Sequence, residues 1–202
     1  MKCFCGKDFL LFYCPDCGIY RVCSLKGINE TYTRGYLLRY ERLEKTKKSE
    51  EIQKRRWRLV KKYLKKGTIL DFGCGCRTFS KYAPKGFKVY NFDLYFFRDF
   101  AFLGKKFDAL CFWDTLEHCF FPDVVIKEIN PKFIFVTMPL VRKISLKNWK
   151  HLKPKEHIWY FTSHGLKKFF EILGYKVVEK IDLETDLRSP DVKTWVAKKN
   201  TE

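Results

Sequence analysis

The stretch Thr68-Ile69-Leu70-Asp71-Phe72-Gly73-Cys74-Gly75 decides the fold. A short apolar run ends in an acidic residue and then turns through two glycines one residue apart, the pattern of a buried parallel strand opening onto a nucleotide-like ligand. Glycine takes positive φ readily and lets the backbone come close to a bound molecule. A second strand, Lys88-Val89-Tyr90-Asn91-Phe92-Asp93, ends in an acid 18 residues after Gly75. There a carboxylate can accept two hydrogen bonds from a ribose diol. The two strands together predict a cofactor site.

From Gly67 onward, strand and helix signals alternate as in an open parallel sheet. The patterns predict strands over 68–72, 87–92, 107–113, 132–138, 175–181 and 192–198, and helices near 77–83, 122–129 and 163–173. Gly174 sits just past the last helix, where a C-cap is expected. The span from Leu94 to Lys106 is short, so any further strand and helix there are reduced. Residues 37–66 read as helical with a break near Thr46 to Ser49. Leu37, Leu38 and Leu43 on the first part, and Ile52, Trp57, Val60, Tyr63 and Leu64 on the second, form apolar stripes expected to pack on the sheet domain. The chain divides into an appendage at 1–25, a connector and basic helical segment at 26–66, and a sheet domain at 67–202.

At 202 residues, 46% apolar and 18% aromatic, the chain has enough core for one α/β domain and a small appendage. Its longest nearly continuous apolar stretch, Phe133 to Val141, is interrupted by Thr137 and Pro139. That is far below the ~18 residues needed to cross a bilayer, so no membrane span is expected. The first residues, Met-Lys-Cys-Phe-Cys, do not read as a signal peptide, and a cytoplasmic location is expected. The formal charge is +18, with 18 Lys/Arg against 7 Asp/Glu in residues 1–66 and 23 against 16 in the remainder. Such a field attracts RNA or another polyanion; a solvated lysine-rich helix face is the alternative.

Five of the nine cysteines fall near the start: Cys3, Cys5, Cys14, Cys17 and Cys23. Where thiols are kept reduced, such clustering favours metal over disulfides. Cys14-Pro15-Asp16-Cys17-Gly18 reads as a zinc knuckle, and Cys3-Phe4-Cys5-Gly6 supplies an opposing pair. Four thiolates complete a tetrahedral structural Zn²⁺ site. The first pair is Cys-x-Cys, which leaves Cys23 available as a substitute ligand. Asp8 to Tyr13 between the pairs should be strand-like, making a small zinc-ribbon hairpin. The remaining cysteines form no second metal site by spacing.

In order along the chain, Ile69 to Gly75, Asp93, the segment Phe107-Asp108-Ala109-Leu110-Cys111-Phe112-Trp113-Asp114-Thr115-Leu116-Glu117-His118, and Lys155-Glu156-His157-Ile158-Trp159-Tyr160-Phe161-Thr162 resemble the motifs of class I S-adenosylmethionine-dependent methyltransferases. The resemblance is to the broad group that includes the ubiquinone-pathway O-methyltransferases and proteins with an N-terminal zinc ribbon. It implies an α/β Rossmann-like fold with a seven-stranded, mostly parallel sheet ending in an antiparallel hairpin. It also implies that Asp71, Gly73 and Gly75, with Cys74 between them, line the methionine end of S-adenosylmethionine. Asp93 would hold the ribose beside Leu94, and Trp113, Asp114 and Thr115 would border the site. Where many members have a further glycine, this chain has Arg77, which either points away from the pocket or helps bind a carboxylate.

Methyl transfer to a hydroxyl needs a base, and His118 and His157 are the candidates, since imidazoles titrate near neutral pH. Each could instead order the loop it sits on. The resulting expectation is methylation of an unidentified oxygen, nitrogen or carbon acceptor, with RNA or another polyanion suggested by the charge. The alternative is a nucleic-acid-binding protein that uses the ribbon and basic helix and carries a methyltransferase-like domain without turnover. The acceptor atom and the oligomeric state are open at this level.

Overall fold

The structure, a computed structural model, describes residues 11–28, 32–142 and 149–200. In chain order its elements are β1 (Leu11–Cys14), β2 (Ile19–Val22), α1 (Arg34–Glu44), α2 (Lys47–Tyr63), β3 (Gly67–Phe72), α3 (Thr78–Lys81), β4 (Phe87–Phe92) and β5 (Ala109–Trp113). A single 3-10 turn at Leu116–His118 follows, then α4 (Pro122–Ile129), β6 (Phe133–Pro139), β7 (Trp159–Phe161), α5 (Ser163–Ile172), β8 (Tyr175–Ile181) and β9 (Val192–Lys199).

The main sheet has the order β4-β3-β5-β6-β9-β8. β3 is parallel to β4 and β5, β5 is parallel to β6, and β9 and β8 are antiparallel. Parallel strands buried on both faces need continuous apolar runs, and Ile69, Leu70, Ala109, Leu110, Cys111 and Phe112 are indeed fully buried. Among the described residues the sheet has six strands, not the seven the resemblance implies. After β4 the chain makes only an isolated bridge, Asp93 with Phe97, and then turns to β5. A parallel crossover needs a dozen or more residues. The span 94–106 cannot hold an extra strand as well as the return, and β4 is left at the edge.

α2 covers one face of the sheet. Trp57, Leu59 and Val60 are buried with Ile69, Phe79, Phe135 and Val196. The Trp57 ring stacks on Phe79 at 4.4 Å, and its Nε1–H donates to the Phe79 carbonyl at 2.8 Å. The break before α2 falls at Thr46, whose hydroxyl accepts from the Ser49 N–H at 3.2 Å as an N-cap. The stripe expected on α1 does not pack: α1 buries no residue, and Leu38 and Leu43 are exposed. α1 instead contributes Tyr36, Tyr40 and Leu43 to the rim of the cavity described below. No helix among the described residues is long and apolar enough to cross a membrane.

β7 was not legible as a strand, and it ties the appendage to the sheet domain. It pairs with β2, giving a three-stranded sheet β1-β2-β7 in which Tyr20 faces Tyr160 and Arg21 faces Trp159. The Arg21 guanidinium lies 5.1 Å from the centre of the Trp159 ring. At the turn between β1 and β2, Gly18 has φ +66° and its carbonyl accepts from the Thr162 hydroxyl at 2.8 Å. The same Thr162 oxygen accepts from the Gly165 N–H at 2.9 Å, capping α5. Gly174, at φ +83°, ends α5 as expected.

Cys3 and Cys5 lie outside the described residues. Cys14 ends β1 and Cys17 lies in the β1–β2 turn, where the neighbouring Cys14 thiol raises the Cys17 pKa. Cys23 follows the far end of β2, where Val22 pairs with Leu11, so most of the hairpin separates it from Cys14. At ~3.3 Å per residue that is about 10 Å, and thiolates on one Zn²⁺ with bonds of ~2.3 Å must almost touch. Cys23 therefore cannot replace a ligand beside Cys14 and Cys17 in this arrangement.

A Cβ on Gly165 would overlap the Gly18 carbonyl. In an isolated helix, Gly to Ala stabilises by ~1 kcal/mol. Gly165→Ala is expected to do the opposite, costing about 1–3 kcal/mol in urea unfolding, with faster proteolysis of the hairpin.

Candidate active site

The glycine turn after β3 is built by its neighbours. Gly73 and Gly75 have φ +81° and +52°, and a Cβ on Gly73 would overlap the Thr115 side chain in the loop after β5. Asp93, at the end of β4, accepts from the Gly75 N–H at 3.0 Å with one oxygen. Its other oxygen accepts from the Tyr95 and Phe96 N–H groups at 2.8 and 2.9 Å. A carboxylate has about four acceptor positions, so most of Asp93 is engaged in shaping the turn, a role its sequence position did not reveal.

The turn opens onto a cavity of about 890 Å³. Asp71, Gly73, Cys74, Gly75, Asp93 and Leu94 line one part of it, and Trp113, Asp114, Thr115, His118 and His157 line the rest. The tertiary structure thus brings together every residue singled out for cofactor binding or proton transfer. Arg77 is not part of the lining. It sits at φ +61° with its guanidinium 4.4 Å from the centre of the Phe97 ring, so of the two orientations left open it takes the one away from the pocket.

At the turn end the cavity is rich in acceptors. Asp71 is 1% exposed, and its Oδ1 has no partner among the described residues. Burial raises its carboxyl to about 7 against the pull of Arg56, and Asp93 and Glu44 add to the rise. Gln53 Oε1, Thr78 Oγ1 and Glu44 Oε2 also line the cavity buried and unpartnered. Unmet buried acceptors cost free energy. A ligand that brings positive charge and N–H or O–H donors, such as the ammonium and ribose ends of S-adenosylmethionine, fits this set of acceptors.

Asp114 differs from expectation, because its lone pairs face arginine. Arg188 binds it through two nitrogens at 2.8 Å each, and Arg56 Nη2 lies at 3.3 Å. Burial alone would raise the Asp114 carboxyl, and the two guanidiniums overcome it and hold the pKa below its usual value. Arg56 is bound in turn by the fully buried Glu184 at 2.6 and 3.1 Å, and Arg188 reaches Glu184 at 2.9 Å. Arg56 also lies over the Trp113 ring at 4.7 Å. Sequence reasoning missed Arg56, Glu184 and Arg188. The only local trace was the four-residue spacing of Glu184 and Arg188.

At the other end, His118 Nδ1 lies 2.8 Å from the Glu156 carbonyl and 3.0 Å from the Tyr32 hydroxyl. A carbonyl only accepts, so Nδ1 carries the hydrogen and Nε2 keeps a lone pair. His157 packs edge-on against His118 with ring centres 4.6 Å apart, and its Nδ1 has no partner among the described residues. The tie between this loop and the sheet is made by backbone rather than by the His157 ring: the Ile158 N–H donates to the Glu117 carbonyl at 2.8 Å. Burial lowers the pKa of both imidazoles, that of His157 to about 2. Such a ring is a weak general base near neutral pH. Burial also pushes the Cys76 and Cys119 thiols up, to about 12 and 11, which leaves them protonated and poor nucleophiles. Tyr32 and Tyr95, both part of the lining, stack with ring centres 4.5 Å apart.

Residues 42–180 match the family model described as a methyltransferase domain, which covers more than half of the chain, and the chain belongs to that family. Among solved structures it is similar to magnesium protoporphyrin IX methyltransferase from Synechocystis PCC 6803 with bound SAH, at 16% identity and TM-score 0.60, covering 84% of this chain and 96% of that one. It is also similar to the 1,6-didemethyltoxoflavin-N1-methyltransferase of Burkholderia thailandensis, at 12% identity and TM-score 0.58, covering 91% and 95%. A third similar structure is a SAM-dependent methyltransferase from Archaeoglobus fulgidus, at 17% identity and TM-score 0.57, covering 81% and 100%. No curated protein matches the chain by sequence. The chain thus carries a methyltransferase domain, and its fold is the one seen in S-adenosylmethionine-dependent methyltransferases.

Two outcomes follow from the buried charges. Asp71 holds its proton up to about pH 7 when folded but only to 3.8 when unfolded. The native state therefore binds the extra proton between these values, and stability must fall as pH rises through that window. Urea unfolding of the ligand-free protein across this window should show the wild type losing on the order of 1.4 kcal/mol per pH unit relative to Asp71→Asn. Glu184→Ala leaves Arg56 with only its 3.3 Å contact to Asp114, which Arg188 already binds, and should cost about 3–5 kcal/mol; adding Arg56→Met should restore much of it.

Proposed function

We propose that this protein transfers a methyl group from S-adenosylmethionine to a hydroxyl of an acceptor bound beside Glu117, His118 and His157. The observation that carries the reading is the set of unpartnered acceptors at the glycine-turn end, Asp71 Oδ1 foremost, facing the same cavity as the two imidazoles. Asp71 and Gln53 would meet the methionine ammonium, and the remaining acceptor capacity of Asp93 would meet the ribose. When bound, the cofactor supplies a methyl group already activated on a sulfonium. The chain's task is then alignment and removal of the hydroxyl proton. The polar cluster of Glu117, His118 and His157 at the acceptor end suits a hydroxyl-bearing acceptor, in keeping with the motif resemblance to ubiquinone-pathway O-methyltransferases.

Lys48, Lys150 and Lys153 line the cavity and favour an anionic acceptor, with RNA or another phosphorylated polyanion as the class. We also infer that Cys3, Cys5, Cys14 and Cys17 hold a structural Zn²⁺ in a cytoplasmic protein; the placement of Cys14 at the end of β1 and Cys17 in the turn that follows supports two of the four ligands. No observation favours the reading without turnover, since Arg77 leaves the cavity clear.

Calorimetry with S-adenosylmethionine tests the main reading. Saturable one-to-one binding is expected. Asp93→Asn should weaken it by roughly 10- to 100-fold, the loss of about 1.5–3 kcal/mol from a charge-assisted hydrogen bond, with thermal melts run beside it to score any loosening of the turn. A wild-type protein that binds neither S-adenosylmethionine nor S-adenosylhomocysteine at millimolar concentration contradicts the reading.

A further inference from the structure

At the acceptor end, Glu117, His118 and His157 each offer one ligand atom, and these atoms lie within 4.8 Å of one another. Three features set the cluster apart from ordinary core polar packing. Glu117 is 2% exposed, its Oε2 has no partner among the described residues, and the nearest cationic candidate is His118 Nε2, 3.9 Å from Oε1. A buried carboxylate without a compensating charge is costly. His157 is 5% exposed with Nδ1 unpartnered. His118 donates its Nδ1–H to the Glu156 carbonyl, which fixes the tautomer and aims the Nε2 lone pair at the cluster. Metal-ligating histidines are oriented by this kind of outer hydrogen bond.

We propose that Glu117, His118 and His157 bind a divalent transition-metal cation whose open coordination positions face the acceptor side of the cavity. Two imidazoles and one carboxylate suit zinc, iron or cobalt better than magnesium or calcium, which prefer all-oxygen sites. Three protein ligands leave positions free for an entering oxygen. All three residues line the cavity, so those positions open onto the space where the acceptor binds. Bonds of ~2.0–2.2 Å place tetrahedral ligands about 3.3 Å apart. On binding, the ligand atoms must close from their spacing of up to 4.8 Å to that value. The cation answers the charge of Glu117 and satisfies the His157 lone pair, and it prepares the site for a hydroxyl or vicinal diol, the class of acceptor oxygen a Lewis acid holds and acidifies.

The backbone explains why the three residues converge. Glu117 and His118 lie on the 3-10 turn after β5, and His157 precedes β7. The Glu117 carbonyl accepts from Ile158 N–H at 2.8 Å, and the Ile158 carbonyl accepts from Val22 N–H at 3.0 Å. The N-terminal hairpin therefore braces the His157 segment against the turn that carries the other two ligands. This gives the appendage a part in the site.

The proposal rests on the methyltransferase reading only for the identity of the entering oxygen, and its test separates the two. Co²⁺ is titrated into full-length, chelator-treated protein and followed by visible absorption, with S-adenosylmethionine binding measured by calorimetry on the same samples. One Co²⁺ per chain should give d–d bands of nitrogen and oxygen ligation. Those bands should weaken at least tenfold in apparent affinity in both Glu117→Gln and His157→Gln. Cobalt in the cysteine hairpin is told apart by its thiolate charge-transfer band, which should be lost in Cys14→Ser while the other bands persist. Circular dichroism identifies a variant that fails to fold, and the other variant then decides. Absence of nitrogen and oxygen bands in the wild type, or bands unchanged in a folded variant, overturns the proposal. If S-adenosylmethionine still binds in that case, the methyltransferase reading survives. Cobalt bound as expected with no S-adenosylmethionine binding leaves the metal site standing and removes the methyltransferase reading.

Discussion

The carboxylate of Asp93 holds the cofactor-side architecture together. Its two oxygens receive the N–H groups of Gly75, Tyr95 and Phe96, so one side chain joins the turn after β3 to the loop after β4. Charge-assisted bonds to backbone N–H groups are among the stronger hydrogen bonds available to a folded chain. Their geometry requires that Gly75 present its amide inward, which its φ of +52° allows. The contact of Gly73 with Thr115 then seats the loop after β5 against the same turn. Three consecutive strand ends converge on one point, and the cavity is the space they leave.

A second layer of charge surrounds this point. Arg56 reaches from α2, Glu184 and Arg188 from the segment after β8, and Asp114 from the end of β5. Two guanidiniums and two carboxylates satisfy one another there, so the buried charges are paired rather than stranded. The pairing binds α2 to the far side of the sheet and holds Asp114 at φ +58° at the cavity wall. Asp71 lies just beyond the reach of full compensation, and its carboxyl is accordingly lifted. The local field grades from compensated charge at Asp114 to unmet acceptor at Asp71, and a cationic ligand is best received at the second.

The glycine turn, its preceding strand and the acid after the next strand were legible because local pattern alone specifies them: an apolar run, glycines at fixed spacing and a carboxylate at a strand end. The helix break at Thr46 and the end of α5 at Gly174 were legible for a similar reason, since capping chemistry acts within a few residues. The six-stranded sheet and the exposed α1 were not, because each depends on what the rest of the chain leaves room for. β7 escaped notice because three aromatic residues carry no period, and its partner β2 lies far upstream. Cys23 looked like a spare ligand until strand register put it at the wrong end of the hairpin.

Sequence by itself determined the class of fold and picked out the glycine-turn, strand-end and histidine residues that line part of the cavity, because strand periodicity, glycine conformation and side-chain chemistry are properties of short segments. Only the tertiary structure decided what those residues do there. It turned Arg77 onto Phe97, gave Asp114 to Arg188 and Arg56, and set Glu117 beside His118 and His157. Burial and pairing at a point in space depend on segments tens of residues apart in the chain, and no local pattern encodes that distance.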